Sequence, residues 1–210
     1  MKQIHLSLLA AALVFSACES QSSTKTTTEN ATEIAEEPAK EASAKTGLTA
    51  LDQAMEKMDA LKVLQPLGND EMTKQLPAEL AGLKRGEVSL SETMGKIVQA
   101  SYAKQPDGAG FNVAITDCAG ELGAGKYLMA YVTPMSAEDS PAATPENEKL
   151  TTQKKVPFAG QQALSRHDPV NDVYSVVFMS KERLFVDVAG AGGTSLAEVL
   201  NFADKLNAQL

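Results

Sequence analysis

The apolar positions of this chain follow three different rhythms. An apolar run occupies Ile4 to Ala17, interrupted only by His5, Ser7 and Ser16. In residues 19–46 that follow, Ile34 is the only large aliphatic side chain. Leu48, Leu51, Met55 and Met58 then recur at steps of three and four, the spacing of one helix face. This predicts a helix running to about Lys62 with that stripe packed in the core. Pro66 and Gly68 close the region, and Leu76–Arg85 reads as a short helical turn stopped by Gly82.

From Glu87 the period changes to two. Val98, Ala100 and Tyr102 alternate with Ile97, Gln99 and Ser101; Phe111, Val113 and Ile115 alternate with Asn112, Ala114 and Thr116. Pro106-Asp107-Gly108 between them predicts the turn of a hairpin. Tyr127, Leu128, Tyr131 and Val132 fall on a helical face, with a strand as the alternative for so short a run. Residues 134–149, with three prolines and four acids, read as an exposed loop. Val173 to Met179 is almost continuously apolar, as in a strand buried on both faces. Ser180–Arg183 makes a polar turn into a strand over Leu184–Val188. A closing helix starts near Ser195, capped by Thr194 or Ser195, with Leu196, Val199, Leu200, Ala203 and Leu206 along one side. The predicted class is α+β: an antiparallel sheet packed against helices, one domain at residues 47–210 after a disordered tether.

Composition changes the picture at the start of the chain. Lys2 followed by the apolar run has the layout of a secretory signal, and the run is too short to cross a bilayer core as a helix, which takes roughly 20 apolar residues. Phe15-Ser16-Ala17-Cys18 resembles a lipobox, the cleavage and acylation site of bacterial lipoproteins. Phe15 stands where that pattern prefers Leu. The resemblance implies a signal peptide at 1–17, lipid on Cys18 and attachment to a membrane through it, on the periplasmic face or the cell surface. Residues 18–46 then form an acidic tether: six Glu against three Lys, and too little apolar surface to offset ordering entropy.

The whole chain carries a formal charge of −8. That balance argues against nucleic acid as a partner. With Cys18 lipidated, Cys118 is the one thiol left, so no intramolecular disulfide is expected; its place in Asp117-Cys118-Ala119-Gly120 reads as the packed end of a strand. The stretch Leu76–Arg85, with the strands after it, resembles the opening of a group of uncharacterised exported bacterial proteins, a likeness that implies no activity.

Several runs imitate catalytic motifs and miss at a decisive position. Gly120–Tyr127 nearly spells a phosphate-binding loop, but Tyr127 replaces the Ser or Thr that would hold magnesium; it reads as a flexible strand-to-helix link. Gly190–Ser195 lacks the sixth glycine of a dinucleotide fingerprint. His167, in Arg166-His167-Asp168-Pro169, has no nucleophile context and reads as part of a turn. One histidine and one cysteine make a poor zinc set, and the carboxylates Asp107, Asp117 and Glu121, near loop ends but without cation-loop spacing, read as a solvated rim. No catalytic residue, metal or cofactor is expected. The expectation is a non-catalytic binding or accessory module at the cell envelope with an envelope protein as partner, its oligomeric state open. The alternative is a small-ligand carrier or hydrolase whose site is assembled from dispersed residues.

Overall fold

Alternation along the strands sends successive side chains to opposite faces, and here both faces acquire a core. The computed structural model describes residues 39–210 apart from 106–108, 143 and 146, with side chains from Leu51 onward. The signal-like run, Cys18, the tether up to Pro38 and the Pro106–Gly108 turn therefore lie outside the described residues. In chain order the elements are α1 (Ala39–Lys62), α2 (Asn69–Lys74), β1 (Glu79–Leu80), β2 (Leu83–Arg85), β3 (Ser89–Ser91), β4 (Lys96–Ala103) and β5 (Gly110–Asp117). There follow α3 (Gly120–Lys126), a π-helical turn (Tyr127–Val132), α4 (Thr133–Ser136), β6 (Thr152–Phe158), β7 (Gln161–Asp168), β8 (Val173–Ser180), β9 (Leu184–Gly190) and α5 (Leu196–Asn207).

The protein is α+β, with an antiparallel sheet of nine strands packed against helices. The order is β1-β2-β4-β5-β9-β8-β7-β6, with β3 paired beside β2 on the outer side of β4. β4 and β5 form the expected hairpin, with Val98 opposite Ile115 and Tyr102 opposite Phe111. β5 then pairs with β9, which joins this hairpin to the β6–β9 meander.

One face carries Val98, Ala100, Tyr102, Val113, Ile115, Val176, Phe178, Val186 and Val188, covered by α2 and α5. Phe202 of α5 stacks on Phe111 with centroids 4.1 Å apart and meets Tyr102 edge-on at 5.4 Å. Ser195 is the cap of α5: its hydroxyl accepts from the Glu198 backbone N–H while the Glu198 carboxylate accepts from the Ser195 N–H at 2.8 Å. The opposite face carries Leu164, Val177, Met179 and Phe185, packed with Met58, Leu61, Ala124, Tyr127 and Val132.

Several elements differ from the sequence reading. Leu51 and Met55 are exposed, while Ala54 packs with Met58 and Leu61, so only the end of α1 touches the sheet. The first turns of α1 fall within the segment that composition assigns to the tether. Leu76–Arg85 is not helical: β1 and β2 form a small hairpin whose turn, Ala81-Gly82, has positive φ at both residues. α2 precedes it, burying Met72 fully, with Leu76 buried just beyond its end. Tyr127–Val132 is helical, in a wide π turn that buries Tyr127 and Val132. β6 and β7 escape the pattern because β6 lies at the sheet edge, where polar residues and Pro157 are tolerated.

Candidate functional site

Helices cover only part of the second sheet face. Register places Ser89, Gln99, Ala114 and Asp187 in one row across β3, β4, β5 and β9, all on that face. The neighbouring row runs Ser101, Asn112, Ala189 and Ser175. These side chains are small or polar, so they offer a helix nothing to pack on. The apolar residues that hold α1 and α3, Phe185 and Met179, lie one row further along. The result is a groove of about 440 Å³ floored by Ala114, Asp187 and Ala189 and lined by Glu87, Ser89, Gln99, Ser101 and Asn112.

Asp187 sits in the middle of β9 (Leu184–Gly190), an otherwise apolar strand. Burial pushes its carboxyl above the usual range, and the attraction of Arg166 and Lys126 only partly opposes this. It makes no hydrogen bond or ion pair among the described residues. Lys126 is held over the Phe185 ring at 5.3 Å, beside the groove rather than in it. The sequence signal for this residue was available: aspartate is depleted in strands, and one inside an apolar run calls for an explanation.

The residues singled out from the sequence do not converge. Cys118 is fully buried after β5, and burial pushes its thiol up to about 12, which suits a packing role rather than a nucleophile. His167 lies in strand β7, not in a turn; it stacks on Tyr174 at 4.1 Å, and its Nε2 lies 3.5 Å from Asp172 Oδ1. The turn begins one residue later, where Asp168 accepts from the Val170 and Asn171 backbone N–H groups. Asp107 lies outside the described residues, and Glu121 is exposed.

Asp117 overturns its reading as a solvated rim residue. It is fully buried and accepts from Arg183 Nε at 2.7 Å and Nη2 at 2.8 Å. The Leu67 and Ala119 backbone N–H groups complete its shell. Burial raises its pKa, but Arg183 and the two backbone donors outweigh that, and the carboxyl lies below its ordinary value. Among the described residues, no three His, Cys, Asp or Glu side chains gather as a metal site.

Gly120–Tyr127 is not a flexible link but helix α3 leading into the π turn. Gly120 turns the chain at φ +76°, and a Cβ on Gly123 would come within 2.5 Å of the Cys118 carbonyl carbon. Every pair of named strands is antiparallel, so the βαβ unit of a phosphate-binding loop is absent among the described residues. Gly190 ends β9 and Gly193, at φ +80°, turns into α5. Compared with known proteins, the chain matches no family model, no curated protein and no solved structure.

Proposed function

We propose that this is a membrane-anchored lipoprotein of the cell envelope, held by lipid on Cys18, whose domain is a non-catalytic binding module. The lipobox-like sequence supports the anchor. The observation that carries the binding role is the uncovered polar half of one sheet face, centred on Asp187. A small-ligand carrier calls for an enclosed, mainly apolar pocket; this groove is open and lined by amides, hydroxyls and carboxylates. Residues of that kind match the polar groups of a partner polypeptide.

Two measurements in native cells test the reading. Cys18→Ser should release the protein from the membrane fraction, and intact mass of the wild type should show an acylated Cys18. A photo-crosslinker replacing Gln99 or Asn112 should capture a discrete partner, while one at exposed Asp204 on α5 should not. Equal capture from both faces, or none from the groove, would remove the binding role from this surface.

A further inference from the structure

We propose that the groove receives a lysine or arginine side chain of its partner, bound against the Asp187 carboxylate. The inference deepens the binding reading above and rests on it.

Three observations carry it. First, Asp187 is a half-buried carboxylate without a hydrogen bond or ion pair among the described residues, at the floor of an open groove. Partial burial makes its charged form less favourable, and a partner cation offsets part of that on binding. Second, among the described residues the only other ionisable side chain lining the groove is Glu87, also acidic. The nearest basic groups, Lys126 over Phe185 and Arg166 in the row beyond Ser175, attract the carboxylate from outside the lining without an ion pair to it among the described residues. The lining itself therefore carries only negative charge, which favours a cation over an anion. Third, the walls carry Gln99, Asn112, Ser89 and Ser101, which donate and accept. They suit the backbone amides flanking an inserted side chain, while Ala114 and Ala189 leave room for its aliphatic stem.

The groove also resembles no anion site. Its floor is flat sheet rather than a helix terminus, and its lining contains no lysine or arginine.

The test uses the isotopically labelled mature chain and four capped pentapeptides, Gly-Ser-X-Ser-Gly, with lysine, norleucine, arginine or glutamate at X. Amide shifts are followed at Ser89, Gln99, Ala114 and Asp187. The lysine and arginine peptides should shift these residues and bind about tenfold more tightly than norleucine, the scale of one charge-assisted hydrogen bond. Asp187→Asn, which retains size and shape, should bring that ratio close to one. Equal binding of norleucine, or preference for glutamate, overturns the cationic anchor while leaving the groove a binding face. Silence from all four peptides also overturns it; if crosslinks from Gln99 persist in cells, the groove reading survives, and if they too are absent, both fail.

Discussion

Arg183 and Asp117 meet through two parallel hydrogen bonds of 2.7 and 2.8 Å, although they stand 66 residues apart, one at the end of β5 and the other in the turn before β9. The pair does more than join β5 to the turn before β9. Arg183 Nη2 also donates to the Gln65 carbonyl at 2.6 Å, and Asp117 accepts from the Leu67 N–H at 2.7 Å. The connection from α1 to α2 is thereby fastened to the sheet by a polar clamp.

Breaking this clamp from one side should be costly. Arg183→Ala leaves a buried carboxylate with only two backbone donors, and losses of about 3–5 kcal/mol are usual when a buried pair loses one member. Denaturant titration of Arg183→Ala against wild type measures it; a change below about 1 kcal/mol would show that solvent reaches Asp117 readily.

The same pair sets a pH dependence. Because the folded pKa of Asp117 is lowered, its contribution is fully present above the unfolded carboxylate pKa of about 4 and is lost as pH falls through the lower folded value. The urea midpoint should therefore fall on acidification below about pH 4, and less steeply in Arg183→Gln, where the depression is removed.

Asp187 has the opposite sign. Its folded pKa is raised, so the unfolded chain ionises first and stability declines as pH rises from the unfolded pKa through the folded one. Asp187→Asn should consequently raise the melting temperature at neutral pH while weakening partner capture. A lower melting temperature would show that the carboxylate has a stabilising partner.

Two glycines of α3 should respond in opposite directions to the same substitution. Gly123→Ala forces a Cβ against the Cys118 backbone and should cost about 1–3 kcal/mol, as overpacking does. Gly125→Ala meets open space and should add up to about 1 kcal/mol through helix propensity. Thermal melts of the two variants settle both.

Burial along the helices gives a further contrast. Leu206→Ala, at a fully buried position of α5, should cost about 2–5 kcal/mol, while Leu51→Ala on exposed α1 should stay within about 0.5 kcal/mol. Equal losses would mean that the α1 stripe is covered in solution.

The strands and the closing helix were readable where one rhythm dominated. Val98, Ala100 and Tyr102 alternate cleanly, and Ser195 with Glu198 spells its own cap. Phe202 escaped the helical reading although it is among the most buried side chains, because the smaller residues of the same face drew the stripe beside it. The Leu51–Met55 stripe looked like core because periodicity reports an apolar face but not whether anything covers it. β6 and the β1–β2 hairpin were hidden by polar edge positions. The candidate groove was hardest to see: Asp187 stands out within its apolar strand, but register alone brings Gln99 and Ala114 beside it. Asp117 was misplaced for a related reason: its partner Arg183 lies far along the chain, and nothing local announces a long-range ion pair.

The pairing of β5 with β9 has a consequence for how the molecule forms. Phe111 lies opposite Gly190, so the strand at the centre of the sheet is the last one made, and its two neighbours come from hairpins that cannot meet without it. A growing chain holds these pieces with open edges until β9 emerges. Only then do both cores close, together with the Arg183 clamp and the groove floor at Asp187. Folding should accordingly be late and slow, governed by a contact of large sequence separation rather than by its helices. The same delay makes the polar groove one of the last features to exist.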